Sequence, residues 1–567
     1  MLSIVGLALA TTAPSLQLRS RPRDGPFVLN LRGGAEVSAE DEGGLPLVPP
    51  PQDYSAASFE TAAAAAPPSS TLPLGVPSAA VCDAMISEGV AWASCNGLLM
   101  RRADGSASFD HAPFSLLPAE FPAEQLELAT ELAPLFGTLV DRIADDVPWL
   151  TRTLQGTADS DDFTRRLLKL CAKVQREGAT QGARLAVLRS DYMLHDAADG
   201  SAARLLQVEL NTVAASFGCL STRVSQLHTH LAQRFEALRR RLWLSAGKPS
   251  RLRLDATLPP NAALAGIAEG LARAHAAYGE PEAVVLFVVQ PDERNGLDQE
   301  LLRQRLWSEH GVRVVSRTLL QLAQEGRLEG GKRVLRLGAD QVAVAYLRAG
   351  YSPDDHPTSR QWDARLLLER SHAIKAPCIE YQLVGCKKVQ QQLAQPGELE
   401  RFLTPEEAEK LRAVFAGLWS LSGAASPDAA ASPDEHAAAM HMRLARERPD
   451  DYVMKPQREG GGHNFFGEEL RAALESMTRE QRSAFILMQR IFPRAEPAVL
   501  VRGAAPTAGP AVSELGVYSI YLRAHSGRVL LNRATGHLVR TKLLGTDEGG
   551  VNAGFAVLSS PIAVRSC

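Results

Sequence analysis

The chain has 567 residues, 45% of them hydrophobic, with 61 Lys and Arg against 64 Asp and Glu for a formal net charge of -3. That length holds about two to four domains around a large core, and the near-balanced charge removes the electrostatic case for nucleic acid or an anionic membrane as the main partner. Seven scattered cysteines with no CxxC indicate neither a zinc site nor a disulfide framework and read as reduced thiols.

Residues 1–78 differ from the rest. Leu2 to Ala10 is an apolar run too short to span a bilayer, and the stretch after it carries Arg19, Arg21, Arg23 and Arg32 against one acid, Asp24. This pattern suggests targeting, and it resembles a two-part plastid leader, which makes a plastid the expected destination and the cytoplasm the alternative. The Pro-, Ala- and Ser-rich stretch that follows buries too little apolar surface to repay ordering and reads as a disordered spacer.

From Cys82 onward the pattern is globular. Helical spacing is visible in Phe163, Leu167, Leu170 and Val174, and again in Val224, Leu227, Leu231, Phe235 and Leu238. Between them, LLQVELNT reads as a strand with Leu206, Val208 and Leu210 on one face and Gln207, Glu209 and Asn211 on the other. His228 and His230 are two apart on a helix and face different ways, so they read as solvated positions and not as a metal pair.

Residues 283–348 turn to strand, helix, strand. AVVLFVV and VAVAYLR are apolar enough for buried parallel strands, with VRVVS between them. GRLEGGKR, Gly326 to Arg333, nearly fits a phosphate loop, but Arg333 stands where a magnesium-binding hydroxyl is required and no strand directly precedes it, so it reads as a turn. A helix is expected in QWDARLLLERSHA, a low-complexity surface insertion over 421–440, and strands in DYVMKP, AVSELGVYSIYLR and VLLNRATG around a helix near Glu469 to Ser476.

Two stretches carry chemistry. In KPQREGGGHN the consecutive Gly460, Gly461 and Gly462 let backbone N–H groups approach a polyphosphate, with Lys455 and Arg458 adding charge. Glu459 is out of place in a simple anion site unless a divalent cation lies between it and the phosphates, so the stretch asks for Mg2+ and a nucleotide. Glu209 and Asn211, at i and i+2 of a strand, can converge on the same cation.

RSDYM, QVELNTVAASFG, ERNGLDQ, ARLLLERSHAIKAP, GCKKVQQ, KPQREGGGHN, SELGVYSIYLR and GHLVRTK occur in this order, and together they resemble the eukaryotic-type glutathione synthetase family. The resemblance implies an α/β (mixed α+β) fold of ATP-grasp architecture with an inserted α/β substrate domain and a glycine-rich lid, usually as a homodimer. The expected segments are 1–78 for targeting and spacer, 79–280 for the first part of the core, 281–375 for the substrate domain and 376–567 for the second part with the lid.

It also implies a site. Glu209, Asn211 and Glu459 would hold Mg2+. ATP would be lined by Glu209, Lys387, Lys455, Pro456, Gln457, Arg458, Glu459, Gly460, Gly461, Gly462, His463, Asn464, Phe466, Met488, Gln489, Arg490, Ile491, Glu514, Lys542 and Glu548. The γ-glutamylcysteine and glycine substrates would meet Arg189, Val213, Ala214, Ala215, Ser216, Glu293, Arg294, Asn295, Gln299, Arg348, Ala349, Gly350, Tyr351, Arg540, Val551 and Asn552, with Arg189, Lys455 and Arg540 serving the chemistry. That chemistry is ATP-dependent activation of a carboxylate as an acyl phosphate, followed by attack of an amine. The chain departs from the family's usual residues at Ala214, Phe466, Gln489, Arg490 and Asn552, and the last bears on which amino acid is the acceptor.

Overall fold

The computed structural model describes residues 78–564 apart from 103, 105, 179, 197–202, 236, 237, 239–257, 422–432, 458–462, 504, 547 and 548. All but Ser78 of the leader and spacer expected over 1–78, and most of the low-complexity insertion, therefore lie outside the described residues, as does the triglycine itself.

Three sheets organise the mixed α/β fold. The largest orders its strands Glu496–Arg502, Phe114–Ser115, Val557–Ser559, Val529–Leu543, Ala505–Arg523, Arg184–His195 and Arg204–Asn211. Ala505–Arg523 is long enough to serve two partners along one edge. Its first half pairs with Glu496–Arg502 (Ala511 opposite Glu496) and its second half with Arg184–His195 (Leu515 opposite Tyr192), both antiparallel. The helices Ala123–Asp145 and Ala263–Tyr278 pack against this sheet, which buries strand residues such as Leu185, Leu188, Ile520 and Leu522 completely.

A second sheet contains the expected parallel unit. Val284–Val288 lies between Val314–Arg317 and Asp340–Leu347, parallel to both, and its five residues are all buried, which is why this segment reads as an unbroken apolar run. Gly326–Glu329 and Val334–Leu337 form an antiparallel hairpin at the edge, so the near phosphate-loop sequence is a hairpin turn following the helix Leu319–Glu325.

The third sheet, Leu418–Ser420, Phe485–Gln489, Tyr452–Pro456 and Phe465–Phe466, is antiparallel and is covered by the helices Gly467–Ser476 and Pro433–Glu447. Its other face meets the edge of the large sheet. Leu206 shares a small core there with Ala416, Leu418, Val453, Ile486 and Met488. Two sheets thus face each other across a cleft, as in the expected ATP-grasp arrangement.

Two details differ from the sequence reading. Alternation along Arg204–Asn211 is broken by a register shift: Asp191 pairs with Glu209 but Tyr192 pairs with Gln207, which leaves Val208 as an extra residue. The bulge turns Gln207 away from Glu209 and Asn211 to the reverse face of the sheet, where its amide donates to Ser190 Oγ at 2.7 Å. His228 is not solvated. It is fully buried, its Nε2–H donating to the Ser115 carbonyl at 2.8 Å while Nδ1 accepts from the Ser560 hydroxyl at 2.6 Å; His230 stays part-exposed beside Glu88. The helix Gly218–Arg234 packs its His228 side under the Val557–Ser559 strand, a tertiary contact that its own periodicity does not encode.

Burial lowers the pKa of His228 to about 4, and His356 and His537 are likewise held at about 4. A histidine depressed in this way contributes stability that is complete above its unfolded pKa of roughly 6.5 and is lost as pH falls toward 4, by up to about 3 kcal/mol for each group. Thermal unfolding followed from pH 7 to pH 4.5 should show the midpoint falling with acidification, and the fall should be shallower in His228→Gln. An equally steep pH dependence in the variant would remove His228 from the acid-sensitive set.

Candidate active site

The cleft between the large and third sheets holds a cavity of about 390 Å³. Arg189 faces it from the strand Arg184–His195, with Asp191 at i+2 on the same side of the sheet but behind the wall, and Glu209 and Asn211 face it from the neighbouring strand. Asp191 is 1% exposed and accepts hydrogen bonds from three side chains. Arg189 grips it in a fork, Nε to Oδ1 at 2.7 Å and Nη2 to Oδ2 at 2.8 Å. Asn211 Nδ2 donates to Oδ2 at 3.0 Å and Arg540 Nη2 does so at 3.0 Å. Arg540 also donates to Glu514.

Gly516 makes this packing possible. It pairs with Asp191 across the ladder, and a Cβ there would stand 2.7 Å from Asp191 Oδ1 and 2.9 Å from Arg189 Cδ. Any side chain would displace the fork.

The loop after Arg204–Asn211 brings backbone to the same place. Ala214 and Phe217 take left-handed φ values of 49° and 69°, which a non-glycine residue holds only when its surroundings compel it. At Phe217, Asp298 compels it, accepting backbone N–H bonds from Phe217 (3.0 Å), Cys219 (2.8 Å) and Leu220 (2.9 Å). The Ser216 carbonyl then receives Arg189 Nη1 at 3.2 Å and the Tyr518 hydroxyl.

Charge is concentrated and mostly positive. Lys387 Nζ lies 3.3 Å from Glu209 Oε2, and Lys455 Nζ donates to the Val208 carbonyl at 3.1 Å, the carbonyl that the bulge exposes. Burial works against ionisation of Glu209, but Lys387, Lys455, Arg540 and Arg189 together outweigh it and hold the carboxyl well below the usual range. Burial, joined by Asp191 and Glu209, pushes Glu514 up, against the pull of Arg540.

Of the residues expected in the site, Glu209, Asn211, Lys387, Lys455, Pro456, His463, Asn464, Phe466, Met488, Gln489, Arg490, Ile491, Glu514 and Lys542 line the cavity, as do Arg189, Val213, Ala214, Ser216, Tyr351, Arg540, Val551 and Asn552. Gln457 is buried beside it, accepting the Lys388 backbone N–H at 2.7 Å, and Ala215 is in the core. Arg458, Glu459, Gly460, Gly461, Gly462 and Glu548 lie outside the described residues. Among the described residues no three His, Cys, Asp or Glu side chains converge as a metal cage.

Glu293, Arg294, Asn295, Gln299, Arg348, Ala349 and Gly350 do not line the cavity itself. Several of them are buried with polar atoms that meet no partner among the described residues: both amide atoms of Asn295, Nε2 of Gln299 and Nη1 of Arg348. Burial opposes the charge on Arg348, but nearby Tyr346, Asp298, Glu293 and Tyr351 restore it and raise its pKa. Asp355 holds the adjoining turn, its Oδ2 accepting from Gly350 N at 2.9 Å and Tyr351 N at 3.1 Å. Buried polar groups left open in this way suit a polar ligand.

The cavity wall also includes Met193, Phe492, Pro493, Val512, Leu544 and Thr546, which the sequence reading did not single out, and behind it stands Asp191. Asp191 was legible in principle, since RSDYM carries the same i, i+2 polar spacing as ELN.

The comparisons agree with one another. A family model described as "Eukaryotic glutathione synthase, ATP binding domain" matches residues 79–563. The chain is 42% identical over 487 residues to a chloroplastic glutathione synthetase of Solanum lycopersicum, covering 84% of this chain and 83% of that one, and 37% identical over 489 residues to the glutathione synthetase of Homo sapiens, covering 85% and 97%. The solved structure of a glutathione synthetase-like effector from Globodera pallida shares the fold with a TM-score of 0.67 at 24% identity, over 87% of this chain and 99% of that one. With the match running through every strand of the cleft and relatives similar over most of their length, the chain belongs to the eukaryotic glutathione synthetase family.

Proposed function

We propose that this protein is a glutathione synthetase, an ATP-dependent ligase that joins γ-glutamylcysteine to glycine. The observation that carries the reading beyond family membership is the Arg189–Asp191–Arg540 cluster beside Lys387 and Lys455: two oriented guanidinium groups and two ammonium groups in one cleft, as a reaction between polyanions requires.

A carboxylate oxide is a poor leaving group. The cysteine carboxylate of γ-glutamylcysteine therefore attacks the γ-phosphorus of ATP, ADP departs, and an acyl phosphate results. The glycine amine then forms the C–N bond, the C–O bond to phosphate breaks, and the amine loses a proton. Such chemistry needs positioning and charge neutralisation and no protein nucleophile. Lys387 and Lys455 would meet the triphosphate, and Arg189 and Arg540 the carboxyl that receives the phosphoryl group. Closure of the glycine-rich segment would exclude water from an intermediate that water destroys.

The donor chemistry fits Mg2+. Asn211 commits its amide hydrogens to Asp191 and the Arg189 carbonyl, which leaves its carbonyl oxygen for a cation, and Glu209 is held ionised. Glu209 and Asn211 would hold the ion with Glu459. A bound Mg2+ supplies the charge that lets phosphates and carboxylates crowd together.

For the acceptor we propose glycine. Asn552 lines the cavity with its amide oxygen buried and without a partner among the described residues, an acceptor for an incoming amine. Plastid import is proposed from the Arg-rich leader and from the chloroplastic names of the Solanum lycopersicum and Arabidopsis thaliana relatives. The homodimer is proposed from the family resemblance.

Phosphate release from ATP with γ-glutamylcysteine should be fastest with glycine, slower with serine and slowest with β-alanine, and Asn552→Ala should narrow the ranking. No glycine-dependent phosphate release from the full chain would overturn the reading. Asp191→Asn should lower kcat/KM for γ-glutamylcysteine by about a hundredfold, because the two guanidinium groups lose the anion that aims them, with a smaller effect on the KM for ATP. Steady-state kinetics in both substrates checks this. Deleting residues 1–78 should leave turnover intact and shift a tagged protein from the plastid to the cytoplasm; an unchanged distribution would refute import by that segment.

A further inference from the structure

Behind the cavity, on the face of the large sheet turned away from it, Gln207 is 1% exposed and fully committed. Its backbone N–H donates to the Val414 carbonyl at 2.7 Å, its side-chain Nε2 to Ser190 Oγ at 2.7 Å, and its Oε1 accepts from Gln390 Nε2 at 3.0 Å. Gln390 belongs to the short helix Lys387–Leu393, whose first residue carries the ammonium that pairs with Glu209. Next to it, the Lys388 N–H is held by Gln457 Oε1 at 2.7 Å, from the end of the Tyr452–Pro456 strand. The helix is therefore a strut between two sheets, tied to one through Gln457 and to the other through Gln207.

The tie to the large sheet falls at the bulge. Gln207 and Glu209 are separated by Val208, the extra residue in the register, whose carbonyl accepts Lys455. Anchoring Gln207 on the reverse face holds the bulge in place, and the bulge turns Glu209 into the cleft and exposes the Val208 carbonyl. The same glutamine pair sets how far the Lys387 end of the helix stands from Glu209.

We propose that Gln207 and Gln390 are positioning residues, whose buried hydrogen bond fixes the spacing of Lys387 and Glu209 and so the geometry in which the cleft binds a nucleotide with its divalent cation. This rests on the reading of the cleft as an ATP and Mg2+ site. Neither glutamine lines the cavity, so neither touches a substrate, and their effect is transmitted wholly through Glu209, Lys387 and Lys455.

The test uses the full chain with Gln207→Leu, Gln390→Leu and the double variant. Each single change should weaken Mg2+–ATP binding by about tenfold in isothermal titration calorimetry and raise the KM for ATP similarly, as loss of supporting partners around a cation site does, while the KM for γ-glutamylcysteine stays within about twofold. The singles leave one amide buried and unsatisfied and should lower the unfolding midpoint. The double variant removes both amides and should recover part of that midpoint, yet keep the binding defect and not deepen it, since the Gln207–Gln390 bond is broken by either change alone. If binding recovers along with stability, or all substrate constants move together with the unfolding midpoint, the pair is structural and the proposal fails. A wild-type chain that binds no Mg2+–ATP would instead sink the underlying reading, an outcome visible before any variant is made.

Discussion

The Asp191 carboxylate is the constraint on which the cleft depends. A charge buried this deeply is tolerated only when paired, and here it is paired with both Arg189 and Arg540 while Asn211 donates to it as well. The consequences spread outward. Gly516 has no side chain because the fork lies over it, and Arg189 can reach the Ser216 carbonyl because its other nitrogens are already fixed. Asn211 presents oxygen to the cavity because its nitrogen is taken. One buried anion thus sets the direction of two cations and one candidate ligand before any substrate arrives, which is the preorganisation that charge-transfer chemistry rewards.

The polar groups divide into two kinds by what they leave unsatisfied. Asp191, Asp298 and Asp355 spend their oxygens on protein donors: Asp191 orients side chains, Asp298 holds the left-handed turn at Phe217, and Asp355 holds the Gly350–Ser352 turn. Asn295, Gln299, Arg348 and Asn552 keep buried polar atoms open among the described residues. The first kind is the scaffold, and the second offers open donors and acceptors that suit a polar ligand. Between the sheets, the short helix carrying Lys387 ties the two walls together, so the ammonium beside Glu209 is held from both sides.

The sequence by itself determined more than composition. The buried parallel strand Val284–Val288 is legible because both of its faces are covered, which leaves no polar alternation to obscure it. Glu209 and Asn211 are legible because strand geometry puts i and i+2 on one face, and KPQREGGGHN because closely spaced cations, glycines and a lone carboxylate have few other uses. Eight collinear motifs then carried family, reaction class and half of the cavity lining.

What only the tertiary structure decided are the contacts between segments distant in the chain. The bulge at Val208 that removes Gln207 from the cavity face arises from register against Arg184–His195, and register is a property of two strands, not one. His228 is buried because Ser115 and Ser560 come to it from remote positions, and no periodicity along its own helix specifies them. Asp191 becomes central because Arg540, 349 positions away, reaches the same oxygen as Asn211. Local pattern encodes the face on which a side chain stands; the partner it finds there depends on folding, which alone brings the other strand or helix within 3 Å.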